Sequence, residues 1–133
     1  MILFDANFLI AYFNDDDVHH KKAVELSEKI RDYSDNFIVL DHIFDEVIGV
    51  CLRLLKDINK VKIIGNDIIS TIGVTHINED TFNKAWEVFS NQKQTKFSFT
   101  DCIIIAYMDI YKIRDLITFD KEFLNIKSIN VVM

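Results

Sequence analysis

The sequence predicts an α/β fold: a three-layer α/β/α sandwich around a central, mostly parallel sheet. Three observations predict it. Short, wholly apolar runs alternate along the chain with segments of helical periodicity. Those runs have no polar face, so the strands they form must be covered on both sides, as in a parallel sheet flanked by helices. The chain has 133 residues, half of them hydrophobic. That length suits a single domain, residues 1–133, with its own core. Right-handed crossovers then place helices on both faces.

Proline is absent and glycine occurs only three times, so boundaries must come from periodicity. Residues 1–4 (MILF) are an apolar strand that stops at Asp5. Residues 7–13 turn directly into a helix, and the polar, acidic residues 14–17 form a loop. From 19 to 33, Ala23, Leu26, Ile30 and Tyr33 form a helical stripe. Residues 37–40 are a second strand. Residues 41–55 are a helix with a broad apolar face of Ile43, Phe44, Val47, Ile48, Cys51, Leu54 and Leu55. The pattern over 60–72 fits more than one state and is read as another helix. Residues 74–77 are a third strand. Over 81–90, Phe82, Ala85, Trp86 and Phe89 fall at i, i+3, i+4 and i+7, which predicts a helix packing that stripe into the core in preference to the alternative, rings that stack on bases. Residues 91–98 are a polar, basic loop. Residues 100–111 are apolar on nearly every side and form a buried helix. A fourth strand at 116–118, a helical turn at 120–124 and a last strand at 129–131 complete the chain.

Composition narrows the function. With 27% charged residues the chain is neither disordered nor of low complexity. Fifteen basic against twenty-one acidic residues give a formal charge of −6. A protein that holds nucleic acid by broad attraction is usually basic. Action on a polyanion therefore requires a local device, and a bound cation is the obvious one. Cys51 and Cys102 lie in apolar runs and are too few for a disulfide framework, which favours a reducing compartment. The start lacks a basic n-region, and no apolar run approaches a membrane span of ~20 residues. A soluble, cytoplasmic protein is expected.

In open parallel sheets the site lies beyond the carboxyl ends of the strands. Asp5 follows the first strand, Asp120 the fourth (ITFDKEF), and Asp101 opens the buried helix (FSFTDCIIIAYM). Glu46 interrupts an apolar helix one turn after the second strand (FIVLDHIFDEVIGV). Each has a plain structural alternative. Asp101 can face a helix dipole, Asp120 can cap the turn after it, and Glu46 can point to solvent beside Arg53. Together, four converging carboxylates would repel unless a cation sat among them. All-oxygen donors suit Mg²⁺ or Mn²⁺, and no Cys/His spacing suggests zinc.

With DANFLIAYF at Asp5, DEVIGV at Glu46, FSFTDCIIIAYM at Asp101 and ITFDKEF at Asp120, the chain resembles the PIN domain. Within that family it resembles the VapC-type toxin ribonucleases of prokaryotic toxin–antitoxin pairs. The resemblance runs from Met1 to about Val131. It implies that Asp5, Glu46, Asp101 and Asp120 form the acidic metal site. Asp5 and Asp101 are assigned as direct ligands, with Glu46 and Asp120 completing the site directly or through bound water. It also implies supporting roles for Asn7, near the first strand's turn, and for Ser98 and Thr100, before the third acid. The implied activity is metal-dependent hydrolysis of RNA, with Mg²⁺ or Mn²⁺ lowering the pKa of water and leaving a 5′-phosphate and a 3′-hydroxyl. An RNA substrate, a cognate antitoxin and a homodimer are the implied partners.

Other features are weighed beside this. The 14–17 loop is expected to be solvated, with Asp17 capping the next helix. His19, His20, His42 and His76 lack zinc spacing. Lys93, Lys96 and Lys121 flank the acidic motifs and can contact phosphate or only solvent. Two rival functions remain. A phosphotransferase with an aspartate nucleophile would want a second aspartate at i+2, where Asn7 stands. A non-catalytic PIN-like module binding RNA or protein would not respond to EDTA in a nuclease assay.

Overall fold

The computed structural model describes residues 1–32 and 36–133. Tyr33, the last member of the stripe expected over 19–33, lies outside the described residues. In chain order the elements are β1 (Ile2–Phe4), α1 (Ala6–Phe13), α2 (His20–Arg31), β2 (Phe37–Leu40), α3 (Asp41–Leu55) and α4 (Ile58–Thr71). They continue with β3 (Val74–Thr75), α5 (Glu79–Ser90), α6 (Phe99–Tyr111), β4 (Asp115–Ile117), a 3-10 turn (Lys121–Asn125) and β5 (Asn130–Val132).

The strands form one five-stranded sheet in the order β3-β2-β1-β4-β5. Every pairing is parallel; Ile2 pairs with Phe37 on one side and with Asp115 on the other. The chain therefore builds outward from β1 through β2 to β3, then returns to add β4 and β5 on the opposite side. The order reverses between β1 and β4, which is where open α/β sheets leave a crevice at their carboxyl edge. Helices α1 to α4 pack among themselves and α5 packs on α6. Right-handed crossovers in opposite directions put these two groups on opposite faces.

Polar side chains fix most helix starts. Asp5 accepts from the Ala6 N–H, Asp57 from Asn59 and Lys60, Asn78 from Thr81, and Ser98 from Asp101. Each satisfies backbone donors that lack a partner inside the first helical turn. Helix α4 ends through Gly73 at φ +86°, whose N–H bonds to the Ile68 carbonyl. Only glycine adopts that left-handed conformation without cost. Where α4 meets α3, a Cβ on Gly65 would stand 3.3 Å from Ile48 Cδ1, so the missing side chain allows a close crossing.

The core is continuous, from Leu3, Val39 and Leu116 in the sheet to Val47 and Ile104 in the helices, all fully buried. One expectation is overturned. Phe82, Trp86 and Phe89 do not enter it, being 46%, 57% and 37% exposed. Helix α5 instead buries only the small residues Thr81 and Ala85. Two aligned small residues let α5 lie close on α6, and the large rings flank that contact. The third strand is also shorter than expected, ending at Thr75.

Candidate active site

The first acid is built into the sheet. Asp5 is 5% exposed at the end of β1. Its Oδ1 accepts the Ala6 N–H at 2.7 Å and its Oδ2 accepts the Thr118 hydroxyl at 2.7 Å. Thr118, itself fully buried, follows β4 directly. Its hydroxyl also accepts from Asn7 Nδ2 at 3.1 Å and from the Asp120 N–H at 3.0 Å. Asn7 Oδ1 in turn accepts the Phe119 N–H at 3.0 Å. One hydroxyl and one amide thus tie the end of β1 to the end of β4, across the reversal of strand order.

Asp101 stands at the third position of α6 in a reciprocal capping box. Its Oδ2 accepts the Ser98 N–H at 3.0 Å while Ser98 Oγ accepts the Asp101 N–H at 3.1 Å. Asp120 caps the 3-10 turn, its Oδ1 accepting the Glu122 N–H at 2.9 Å. Glu46 is exposed on α3 and makes neither a hydrogen bond nor an ion pair among the described residues. Asp101 is thus the helix N-terminal acid, and Asp120 the turn cap, that the sequence also allowed, and among the described residues one oxygen of each carboxylate makes no hydrogen bond. Thr100 makes no side-chain hydrogen bond among the described residues; Asn7 and Ser98 are both structural braces.

The acids feel one another. Burial, opposed by the Thr118 bond and reinforced by the charges of Asp101 and Glu46, pushes Asp5 up to about 7. Partial desolvation, then the charges of Asp101 and Asp45, raise Glu46. Burial raises Asp101 against its bonds to Ser98, with Asp120 adding repulsion. None of the four forms a salt bridge among the described residues. As placed, no three His, Cys, Asp or Glu side chains among the described residues are grouped to hold a metal ion. The donor chemistry nevertheless fits a hard divalent cation: carboxylates only, mutually repelling, and paired with no cationic side chain among the described residues.

Thr118 was not singled out by the sequence, although it stands inside ITFDKEF two residues before the acid. A threonine at a strand end is ordinary; only the pairing of β1 with β4 brings it to Asp5. Phe119 likewise gains a partner, stacking on the His19 ring at 4.6 Å. Farther along the same edge, His42 and His76 turn Nδ1 toward Asp41 at 3.0 and 3.4 Å. Burial raises Asp41, but bonds from His42 and His76 outweigh it and hold that carboxyl below its ordinary value. The 14–17 loop is closed by its own side chains. Asn14 accepts from the Asp16 N–H and Asp17 from the His19 N–H, so Asp17 acts one residue ahead of the helix it was expected to cap.

A PIN domain model matches residues 2–129. The chain belongs to the PIN domain family. Among solved structures, this PIN domain is similar to VapC20 of Mycobacterium tuberculosis, described as a Sarcin-Ricin loop cleaving toxin. The two share 21% identity and a TM-score of 0.83 over 93% of each chain. A toxin–antitoxin complex from Klebsiella pneumoniae aligns at 21% identity and TM-score 0.67, covering 100% of this chain and 97% of the other. VapBC2 from Rickettsia felis, bound to a DNA fragment from its promoter, aligns at 14% identity and TM-score 0.72, covering 99% and 98%. These likenesses establish the PIN-like fold. No curated protein matches the sequence significantly. No helix among the described residues is long and apolar enough to cross a membrane.

Proposed function

We propose that this PIN domain is a divalent-metal-dependent ribonuclease that hydrolyses RNA phosphodiester bonds, and that it is the toxin of a toxin–antitoxin pair. The observation that carries the reading is the placement of Asp5 at the end of β1, Asp101 in the first turn of α6 and Asp120 after β4, with Glu46 on α3, raised carboxyls at Asp5, Glu46 and Asp101, and no salt bridge to any of the four among the described residues. Asp5 and Asp101 would hold Mg²⁺ or Mn²⁺, with Glu46 and Asp120 completing the shell. When bound, such a cation supplies a lowered pKa for water and a counter-charge for the phosphate oxygens. The chain's own residues supply position. Thr118 and Asn7 fix Asp5 against β4, and Ser98 fixes the backbone under Asp101. The solved toxin–antitoxin complexes of the same fold support a cognate antitoxin as partner, and a homodimer is proposed with it. Residues 1–133 are read as one domain. Buried, unpaired Cys51 and Cys102 suit a reducing cytoplasm.

The deciding experiment is single-turnover cleavage of a panel of structured RNAs, with Mg²⁺ or Mn²⁺ and with EDTA. Asp101→Asn preserves size and the acceptor for Ser98, so the fold is expected to survive, at a cost of at most about 1 kcal/mol. Cleavage is expected to fall by orders of magnitude. Asp15→Asn, in the exposed loop, should cleave as the wild type does. A folded Asp101→Asn protein that cuts at the wild-type rate would refute the metal-nuclease reading. Wild-type cleavage unaffected by EDTA would refute the metal.

A further inference from the structure

We propose that the aromatic face of α5, with the lysines of the loop after it, is a base-stacking platform that holds single-stranded RNA beside the acidic site. This rests on the reading of RNA as substrate. Phe82, Trp86 and Phe89 present their rings to solvent on one face of α5. They are not loose. Phe99, the first residue of α6, meets them edge-on at centroid distances of 5.3, 6.0 and 6.2 Å. Trp86 and Phe89 lie stacked at 5.6 Å. Rings held this way lose little conformational freedom when a base stacks on them.

Two further observations select a polyanion as the occupant. Residues 91–98 contain Lys93 and Lys96 and no acid, in a chain whose formal charge is −6. Neither lysine has an ion-pair partner among the described residues. The loop is pinned by the Gln92 side chain, which donates to the Phe97 carbonyl and accepts the Phe97 N–H, each at 3.0 Å. A groove lined by Trp86, Phe89, Lys93, Lys96 and Ser98 joins the rings to the residue that caps Asp101. Phe99 itself stands two residues before Asp101. Aromatic faces for bases, ammonium groups for phosphates and continuity with the acids together describe single-stranded nucleic acid binding. A purely apolar partner would leave both lysines unmatched.

Trp86 is the chain's one tryptophan, so its fluorescence reports the platform directly. The wild-type protein is titrated in EDTA with an oligouridylate of ~10 nucleotides, a length within the range such sites cover. Saturable quenching is expected, and a ribose-phosphate chain of the same length without bases should quench little. By anisotropy of labelled RNA, Trp86→Ala should bind about tenfold more weakly, with much of the loss recovered in Trp86→Phe. Replacing Lys93 and Lys96 by glutamine should reduce the slope of log affinity against log salt by about 1.4. Circular dichroism and gel filtration accompany each variant. No quenching, or unchanged affinity in Trp86→Ala, overturns the platform. Conversion of a dimer to a monomer by Trp86→Ala with RNA affinity intact also overturns it and assigns the rings to a second copy of the chain. Binding is read without metal, so quenching in a wild type that cleaves nothing sinks the ribonuclease reading alone. Cleavage with no quenching sinks the platform alone.

Discussion

Asp5 is a helix cap, a sheet-end carboxylate and the most strongly perturbed acid of the edge, and these roles interlock at Thr118. The Thr118 hydroxyl is the sole side-chain donor to Asp5 among the described residues, and it also accepts from Asn7 and from the backbone of Asp120. Thr118→Val keeps the shape and removes all three bonds. It should cost about 1–3 kcal/mol, since buried polar groups lose their partner. Chemical denaturation measures this, and a loss under half of that range would show that the brace is dispensable. The pH dependence follows from the acids. Asp5 ordinarily titrates at 3.8 and in the fold at about 7. The folded chain therefore binds that proton more tightly. The stabilisation is complete below about 3.8 and is lost as pH rises through about 7. Glu46 and Asp101 are shifted in the same direction and add to it. Asp41, bonded by His42 and His76, and Asp109 of α6, bonded by Lys84 of α5, are held low, so their contribution is lost only below the ordinary carboxylate range. The melting temperature of the metal-free protein should fall between pH 4 and 7, and Asp5→Asn should flatten that slope. Equal slopes in the two proteins would contradict the assignment.

At the scale of the element, α5 shows how periodicity can be right about a helix and wrong about its face. The i, i+3, i+4, i+7 spacing of Phe82, Ala85, Trp86 and Phe89 correctly gives the helix. Which stripe is buried depends on what α5 meets. Helix α6 comes close enough to bury Thr81 and Ala85 and excludes the rings. Thr81 Oγ1 is left buried without a hydrogen-bond partner among the described residues. Thr81→Val should therefore raise the melting temperature, by an amount corresponding to about 1 kcal/mol. A lower melting temperature would mean that the hydroxyl has a partner in solution. Helix α4 ends through Gly73, a stop signal that the reading of 60–72 did not use. Its φ of +86° makes Gly73→Ala costly, by about 1 kcal/mol, in a denaturation experiment. By contrast α1, α3 and the strands β1 and β2 could be read directly. Their apolar runs stop at polar residues that terminate or cap them.

For the whole molecule, the decisive event is the return of the chain from β3 to the far side of β1. That reversal sets β4 beside β1 and brings Thr118 to Asp5 from more than a hundred residues away, with the Asp120 N–H bonded to the same hydroxyl. The repulsion among the acids at that edge predicts a linkage. Millimolar Mn²⁺ or Mg²⁺ should raise the melting temperature by several degrees, because a cation that binds only the folded site stabilises by mass action. Asp101→Asn should lose most of that shift, and EDTA should reverse it in the wild type. Identical melting with and without metal, in wild type and variant alike, would refute the linkage. The sequence by itself determined the alternation of strands and helices and the parallel character of the sheet, and it nominated the four acids as candidates. Each of these is written in local pattern: runs without a polar face, and acids at strand ends or helix starts. Only the tertiary structure decided the strand order, the Thr118 brace, the exposed face of α5 and the coupling among the acids. These depend on which elements become neighbours, and the energy that selects neighbours is spread over the whole core.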